Sequence, residues 1–262
     1  MFNTILELTK YRLSLSVIFS SVAGYLIAID YFSIETFLLL FFGGFFLVGA
    51  SNGFNQIIER ERDSIMDRTK NRPIPLGKIS PRSAFIICLI MILSGIVLLY
   101  LINFRTAFFG LISTLIYLFL YTPLKTRTPL CVFFGAISGA IPFMLGWVAA
   151  TNKFGIEPGV LFMIQFFWQF PHFWSIGWLS DDDYKKAGFK MLPTGKKDKS
   201  TAFQIVFYTI WTILVSLIPL SGFSGLLTIS YISGLLIFLA GIFMLSKSIN
   251  LMLYMNNLNA LR

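Results

Sequence analysis

The chain has 262 residues, of which 56% are hydrophobic and only 13% charged, and its mean hydropathy is +0.77. A soluble domain cannot keep so much apolar surface away from water, so this composition excludes a water-soluble fold. The formal net charge of +9 fits nucleic acid or anionic lipid as a partner equally well when it is taken alone. The composition therefore predicts a protein of the lipid bilayer.

Apolar runs without charged residues recur along the whole sequence. A helix needs roughly 20 apolar residues to span the hydrocarbon core of a bilayer. The runs are Leu13–Ile29, Thr36–Ile58, Ala84–Ile102, Ala107–Tyr121, Leu130–Ala150, Val160–Leu179, Ala202–Leu220 and Leu226–Leu245. Because these segments are continuously apolar, each backbone can satisfy its hydrogen bonds only as a helix. We therefore predict an all-α, polytopic membrane helix bundle of about eight transmembrane helices, as a single domain over residues 1–262.

The lysines and arginines are distributed unevenly between the loops. All 21 of them except Arg105 and Lys153 fall on one side of the predicted bundle. Basic residues accumulate on the cytoplasmic side of membrane proteins, so both termini and the motif loops near 55–82, 121–129 and 181–200 are predicted to be cytoplasmic. The N-terminus shows neither a signal-peptide pattern nor a transit peptide, which favours a multi-pass protein of a bacterial plasma (inner) membrane. The uneven distribution indicates that the excess of lysine and arginine sets the orientation of the protein in the membrane, and no nucleic-acid partner is expected.

The first long cytoplasmic loop begins with a regular series of polar side chains. Asn55, Glu59, Asp63 and Asp67 lie four residues apart, and Asn52 precedes them by three, so a continuing helix would place them on one face. Like charges at this spacing repel each other unless a cation lies against them. Oxygen ligands of this kind suit Mg²⁺, which usually shares its coordination with substrate phosphates. The interleaved basic residues allow a second interpretation, a solvated and salt-bridged helix end, and both stay open.

A second acidic set follows the sixth predicted helix. Asp181–Asp183 precede Tyr184 and Lys185, in a loop on the same side of the membrane as the first set. Two acidic sets around one cavity could hold bridging Mg²⁺ ions on a diphosphate, with nearby cations neutralising the remaining charge. The segment 181–200 is otherwise too polar to pack a core, so we expect a mobile lid that is solvated without ligand.

Three sequence strings include or accompany the acidic sets: NQIIERERDSIMDRTKNRP at Asn55–Pro73, YTPLK at Tyr121–Lys125 and QFPHFWSIGWLSDDDYKKAGFKMLP at Gln169–Pro193. They resemble motifs of the UbiA prenyltransferase superfamily, and of its haem O synthase branch in particular. The similarity extends over roughly residues 5–250 in order and spacing, and three separate motifs are more specific than one acidic string.

The resemblance implies a Mg²⁺-dependent prenyltransferase that transfers a farnesyl group from farnesyl diphosphate to a vinyl group of haem b and gives haem O. It places Mg²⁺ on Asn55, Glu59, Asp63, Asp182 and Asp183, and it gives these five residues and Lys125 the catalytic role. It assigns substrate binding to Asn52, Arg68, Arg72, Tyr121, Arg127, His172, Tyr184 and Lys185. The partners it implies are farnesyl diphosphate, haem b and the lipid bilayer, and it suggests contact with haem A synthase or with oxidase assembly machinery.

Two features depart from the pattern of that family. Glu59 stands where many bacterial members have Asp, although mitochondrial-type members also use Glu, so metal binding should survive the extra methylene. The family usually has nine helices, whereas this chain stops at Arg262 after a tail with Asn256, Asn257 and Asn259. The ninth helix is therefore expected to be missing, by natural shortening or by truncation.

His172 is the only histidine of the sequence, and it follows Pro171 near the cytoplasmic end of the sixth predicted helix. A histidine in a membrane segment is a functional hypothesis by default. Two interpretations stay open: contact with the haem, including ligation of its iron, or a hydrogen bond to a backbone carbonyl that the proline frees.

Two other functions compete with this interpretation. A prenyltransferase for an aromatic quinone precursor would share the acidic motifs and accept a small ring instead of haem. A membrane transporter would also carry polar residues and broken helices, but it should place them near the bilayer midplane rather than in loops on one side.

Overall fold

The computed structural model describes residues 1–257 and Ala260, and every regular element within them is a helix. In chain order the helices are α1 (Phe2–Leu8), α2 (Tyr11–Ala28), α3 (Ile34–Ile58), α4 (Arg60–Asp63), α5 (Pro81–Ile102), α6 (Phe104–Leu115), α7 (Thr122–Leu124), α8 (Cys131–Thr151), α9 (Ile156–Leu179), α10 (Asp181–Lys186), α11 (Lys199–Ser216) and α12 (Tyr231–Tyr254). A π-helical segment, Ile116–Tyr121, joins α6 to α7, and a 3₁₀ turn, Ile218–Leu220, follows α11. The all-α prediction is confirmed.

Seven helical stretches of the described chain are long and apolar enough to cross a membrane. They are Tyr11–Ala28, Ile34–Ile58, Pro81–Ile102, Phe104–Leu124, Cys131–Thr151, Lys199–Leu220 and Tyr231–Tyr254. Helix α9 is also long, at 24 residues, but polar side chains such as Gln165, Gln169 and His172 make it less apolar. Each of the eight predicted runs overlaps one of these eight stretches, and the prediction of a polytopic membrane protein with about eight helices is confirmed.

The last helix lies further along the chain than its apolar run suggested. It begins at Tyr231, where the hydroxyl of Ser230 accepts a hydrogen bond from the Ser233 N–H, and it continues to Tyr254. Of the polar tail, Asn259 and Arg262 lie outside the described residues, so the expected absence of a ninth helix stays a prediction.

The described residues form two compact units, and the first comprises residues 1–123 and 141–153. Within it α3 packs against α2 and α5, and α5 packs against α6. Helix α2 meets residues 141–151 of α8 at Gly24 and Gly146, where an added Cβ would overlap the carbonyl oxygens of Phe143 and Ser21. Small residues of this kind let two membrane helices approach at backbone distance. The first unit holds the end of α3, and with it the first acidic segment.

The second unit comprises residues 124–140 and the described part of 154–262. Within it α11 packs against α9 and α12, and the short α10 packs against the end of α9. At the other end of α9, the Glu157 carboxylate accepts a hydrogen bond from the Leu226 N–H (3.1 Å), which fixes the turn before α12. The second unit holds the second acidic segment and the basic loop after it.

Candidate active site

The first acidic segment continues the helical hydrogen-bond pattern beyond α3. The Glu59 N–H donates to the Asn55 carbonyl (2.9 Å), and the Asp63 N–H donates to the Glu59 carbonyl (2.8 Å). Residues four apart in such a pattern share one face. Asn55, Glu59 and Asp63 are 1%, 4% and 0% exposed, so the structure brings these three polar side chains together on a buried face.

Asp67 does not join this face, and the expectation that it would is wrong. Helix α4 ends at Asp63, where the Thr69 hydroxyl donates to the Asp63 carbonyl (2.9 Å) and the chain continues in turns. The Asp67 side chain is 61% exposed and pairs with the Lys70 ammonium at 2.7 Å. The solvated, salt-bridged interpretation thus holds for Asp67, and also for Glu61, which is exposed and lies 3.4 Å from Arg60.

Asp63 forms a buried ion pair with Arg72. The Arg72 Nη1 donates to both carboxylate oxygens at 2.7 Å, and the Asp63 side chain is fully buried while that of Arg72 is 23% exposed. A buried carboxylate is costly without such a partner. The pair therefore fixes the guanidinium at the edge of the buried face, with its Nε and Nη2 donors not used by Asp63.

Two amides on α3 tie the N-terminal helix to the site. Asn52 Nδ2 donates to the Ser14 hydroxyl (3.2 Å) and to the Thr9 carbonyl (3.5 Å). Gln56, four residues later, donates to the Leu8 carbonyl at 2.7 Å. Asn52 was predicted to bind substrate, but here its amide donors hold α1 and α2 in place. Gln56 was missed, although its spacing from Asn52 is a usable signal.

The YTPLK string places two side chains of the first unit near the end of the π-helical segment. Tyr121 is 6% exposed, and its ring lies 5.1 Å from that of Tyr117. Thr122 accepts a hydrogen bond from Asn55 Nδ2 at 3.3 Å. Sequence reasoning named Tyr121 and missed Thr122, whose partner lies far away in the sequence.

In the second unit, Lys125 lies against the loop that follows α10. Lys125 is 8% exposed, and its ammonium lies 5.5 Å from the centroid of the Phe189 ring. Its carbonyl accepts the Lys190 N–H at 2.6 Å, and the Arg127 carbonyl accepts from the Lys190 ammonium at 3.3 Å. The side chain of Arg127 is exposed.

The second acidic segment forms the short helix α10. Asp181, which had no assigned role, is buried and pairs with Lys185 at 2.7 Å. This hydrogen bond raises the pKa of the Lys185 ammonium above its ordinary value. Asp182 is exposed, and Asp183 is half-buried with the Lys186 ammonium at 3.4 Å. The two carboxylates that were predicted to bind metal are therefore the more accessible ones.

The segment after α10 is docked rather than solvated, which corrects part of the lid prediction. Phe189, Met191 and Leu192 are 8%, 5% and 3% exposed, and the Tyr184 ring packs edge-on against Phe189 at 5.8 Å. These apolar side chains flank the exposed Lys190, so the segment has a buried face that its overall polarity conceals. With α10 it lines a cavity of about 310 Å³, bordered by Asp181, Tyr184, Lys185, Phe189 and Lys190.

The two remaining predicted substrate residues lie at the protein surface. His172 is exposed, and its ring stacks on Trp168 with 4.5 Å between centroids and 15° between planes. Arg68 is also exposed, in the turns that follow α4. The structure thus gives His172 an aromatic neighbour on the same helix, and its role toward haem stays a prediction.

The first acidic segment has the donors that a Mg²⁺ ion prefers. Among the described residues, no three His, Cys, Asp or Glu side chains lie close enough to hold a metal ion by themselves. Asn55, Glu59 and Asp63 nevertheless offer only hard oxygen ligands, and Mg²⁺ usually completes its octahedron with water and substrate phosphates. The residues present therefore fit a metal that arrives together with a diphosphate.

Comparison with known proteins identifies the family. The model of the UbiA prenyltransferase family matches residues 17–253, and this chain belongs to that family. A protoheme IX farnesyltransferase of Christiangramia forsetii is 60% identical over 245 residues, which cover 94% of this chain and 82% of that protein. The resemblance that the three motifs indicated is thereby confirmed.

Two solved structures share the fold over nearly the whole chain. One, from a study of digeranylgeranylglyceryl phosphate synthase, has a TM-score of 0.81 at 24% identity. The match covers 99% of this chain and 90% of the chain in that structure. The other, a UbiA homolog from Archaeoglobus fulgidus bound to DMAPP and Mg²⁺, has a TM-score of 0.73 at 16% identity and covers 95% and 86%. At these identities the likeness concerns the fold.

Proposed function

We propose that this chain is a Mg²⁺-dependent protoheme IX farnesyltransferase, which transfers the farnesyl group of farnesyl diphosphate to a vinyl group of haem b and gives haem O. The observation that carries the proposal is the 60% identity to a protoheme IX farnesyltransferase over 94% of the chain. The buried oxygen face in the first unit supports it, because that face offers the ligands a metal–diphosphate complex requires.

In the first unit, Asn55, Glu59 and Asp63 would hold Mg²⁺ on the diphosphate. When bound, this ion supplies positive charge for the leaving group. Arg72 is kept in place by Asp63 and directs its remaining N–H donors at phosphate oxygens, which accept such planar donors well. Because Asp63 already fixes the guanidinium, little side-chain entropy is lost when the diphosphate binds.

In the second unit, Asp182 and Asp183 would provide the further metal ligands, and Lys125 and Lys185 the further cations. The Phe189 ring lies beside the Lys125 ammonium, and an aromatic ring face attracts a cation. Lys185 stays protonated at neutral pH, since Asp181 raises its pKa. Tyr121, Tyr184 and Arg68 belong to the proposed substrate site through their places in the three motifs, and Arg127 lies two residues after the second of them.

The transfer breaks the carbon–oxygen bond of farnesyl diphosphate, and the electron pair leaves with the diphosphate. The allylic cation takes the π electrons of a haem vinyl group and forms the new carbon–carbon bond. The cation that remains on the side chain takes oxygen from water and releases a proton, which leaves a hydroxyethylfarnesyl group. The apolar helices must exclude water until the new carbon–carbon bond has formed and admit it afterwards.

Orientation and partners follow from the charge distribution and the family. We propose that the chain lies in a bacterial plasma membrane with both termini and the motif loops cytoplasmic, where the prenyl diphosphate is soluble. His172, stacked on Trp168, would contact the haem. Contact with haem A synthase or oxidase assembly machinery would pass the product on.

An acceptor assay tests this proposal. The purified protein is incubated with Mg²⁺, farnesyl diphosphate and either haem b or a 4-hydroxybenzoate-type ring, and the products are identified by mass. We expect a farnesylated haem and no farnesylated ring. A farnesylated ring without a haem product would replace the proposal by quinone-precursor prenylation, and no prenylated product at all would contradict both.

A further inference from the structure

We propose that Thr122 is a positioning residue that orients the side-chain amide of Asn55, so that the amide oxygen is presented to the Mg²⁺–diphosphate complex. This inference rests on the proposed function, because it concerns the same metal site. Thr122 would act through Asn55 and contact neither metal nor substrate.

The Thr122 hydroxyl has a single proton to donate. Its Oγ1 lies 2.9 Å from the Tyr117 carbonyl oxygen, which accepts the hydroxyl proton, and the same carbonyl also accepts the Thr122 backbone N–H. Two oxygens at this distance repel unless a proton lies between them. The hydroxyl is therefore committed as a donor to Tyr117, and toward any other group it can only accept.

This commitment determines which end of the Asn55 amide faces Thr122. Asn55 Nδ2 lies 3.3 Å from Thr122 Oγ1 and donates to it. The reversed amide would place an acceptor against a hydroxyl that has no proton left to give. The NH₂ group must therefore face Thr122, and Oδ1 must point away from it. An amide that is free to turn would present the NH₂ group, a poor partner for a cation, part of the time.

The local backbone places Thr122 where this contact can form. Residues Ile116–Tyr121 form a π-helical segment, and such segments frequently occur at functional sites. Its i→i+5 pattern brings the Tyr117 carbonyl to both donors of Thr122. Thr122 and Asn55 are 3% and 1% exposed, so water does not compete readily for either group.

The helical stretch Phe104–Leu124, which carries Thr122, also provides a matched control. The Ser51 hydroxyl, one turn before Asn55 on α3, lies 3.5 Å from the hydroxyl of Thr114 on α6, which is 4% exposed. Replacing Thr114 with Val removes a buried hydroxyl between α3 and this stretch and leaves Asn55 untouched. A general packing effect would appear in Thr114→Val and in Thr122→Val alike.

The test measures metal binding directly. Mn²⁺ binding to the purified protein is followed by electron paramagnetic resonance with a non-hydrolysable farnesyl diphosphate analogue. We expect Thr122→Val to weaken Mn²⁺ binding by about 10- to 100-fold, the usual effect of losing a group that orients a metal ligand. Thr122→Ser keeps the hydroxyl and should bind close to wild type, as should Thr114→Val. If Thr122→Val does not fold, Thr122→Ala carries the same expectation.

Two results would overturn the inference: wild-type Mn²⁺ affinity in the folded Thr122→Val protein, or an equal loss in Thr114→Val. A further check uses the Asn55→Ala background, where Thr122→Val should weaken Mn²⁺ binding no further. If Thr122→Val lowered Mn²⁺ affinity by the full factor in that background as well, Thr122 would not act through Asn55, and the inference would also be overturned. If wild type bound Mn²⁺ and lost it in Thr122→Val but transferred no farnesyl group, the proposed function would fail while the positioning role stood.

Discussion

Asp63 carries a carboxylate at a fully buried position, and Arg72 balances its charge from a position that solvent partly reaches. Removing one partner of such a pair leaves the other with an uncompensated charge. A structural role and a metal-binding role for Asp63 therefore both predict that a single substitution lowers turnover. If the pair had only a structural role, activity would return when both charges are removed together; if Asp63 and Arg72 also belong to the substrate site, it would not.

We predict that Asp63→Asn lowers turnover by at least about 100-fold and destabilises the fold by about 2 kcal/mol, because a charged hydrogen bond is lost. The double variant Asp63→Asn/Arg72→Gln should regain most of the thermal stability and none of the activity. Turnover and thermal unfolding in detergent measure the two effects. Asp67→Asn is the control, since Asp67 is exposed, and it should keep wild-type activity. Recovered activity in the double variant would reduce Asp63 to a structural residue.

At the level of single residues, sequence spacing identified the side chains that share one face of a continuous helix. Asn55, Glu59 and Asp63 follow from an interval of four. Asp67 has the same spacing but does not lie on this face. The helix ends at Asp63, whose carbonyl accepts a hydrogen bond from the Thr69 hydroxyl. Thr122 could not be found this way, since its contact with Asn55 crosses 67 residues and depends on a π-helical segment that hydropathy does not reveal.

The segment from Asp181 to Asp198 combines a docked part with an exposed part. The Phe189 and Lys190 amides donate to the Tyr184 and Lys125 carbonyls at 2.8 and 2.6 Å. Residues 194–196, by contrast, are exposed, and the Gly195 and Lys196 N–H groups donate only to near neighbours, the Leu192 carbonyl at 3.0 Å and the Thr194 hydroxyl at 3.4 Å. Closure over a ligand would therefore involve the part after Leu192, with the docked part as its base.

We predict that hydrogen exchange without ligand is slow at Phe189 and Lys190 and fast at residues 194–196. A non-hydrolysable farnesyl diphosphate analogue with Mg²⁺ should protect 194–196 and leave the docked amides nearly unchanged, because new cationic and anionic contacts form there. Mass spectrometry of peptic fragments resolves the two parts. Rapid exchange at Phe189 without ligand would contradict the docking, and unchanged exchange at 194–196 would exclude closure.

Helix α11 begins at a charged cap that should be sensitive to acid. The Asp198 carboxylate accepts the Thr201 N–H at 2.8 Å, and this bond, with help from Thr194 and Lys196, lowers the pKa of Asp198. A lowered folded-state pKa means that the stabilisation is present above the ordinary value of 3.8 and is lost as the pH falls through the lower folded value.

We therefore predict that Asp198→Ala costs about 1 kcal/mol at pH 6, the usual cost of losing an N-cap. The difference in stability between wild type and Asp198→Ala should narrow as the pH falls below 3.8. The stability contributed by the neutral cap in Asp198→Asn should show no such pH dependence. Thermal unfolding in detergent at pH 6 and pH 3 measures this. A difference that widens in acid would contradict the sign of the pKa shift.

At the level of helices, apolar runs located the spans, and local chemistry determined their ends. Helix α12 begins five residues after its run because Ser230 caps it, and it continues past Lys247. The Lys247 ammonium lies over the Phe243 ring at 4.9 Å, which lets a charged residue remain within the helix. Helix α1 was not predicted, since it is short and is held by Gln56 from α3.

At the level of the whole molecule, the predicted topology places all lysines and arginines except Arg105 and Lys153 on one side of the membrane. Lys78, Lys153 and Lys196 are all exposed, so their positions can be labelled without disturbing a buried side chain. Lys78 pairs with Glu7 at 3.2 Å, an exposed pair of small energetic value.

We predict that single cysteines at Lys78 and Lys196 react with an impermeant thiol reagent only after the cytoplasmic side is opened, and that one at Lys153 reacts in intact cells. Cys88 and Cys131 are buried and should give little background. The reason is the retention of basic loops in the cytoplasm. Labelling of Lys78→Cys and Lys153→Cys from the same side would overturn the topology.

If the proposed function is correct, cells that express this chain make haem O, and its first acidic segment is required for that synthesis. The most direct measurement expresses the protein in a bacterium that lacks its own haem O synthase, extracts the membrane haems and identifies them by mass. Wild type should yield haem O, Asp67→Asn should yield as much, and an equally abundant Asp63→Asn protein should leave haem b unchanged. Absence of haem O with abundant, membrane-inserted wild-type protein would contradict the account.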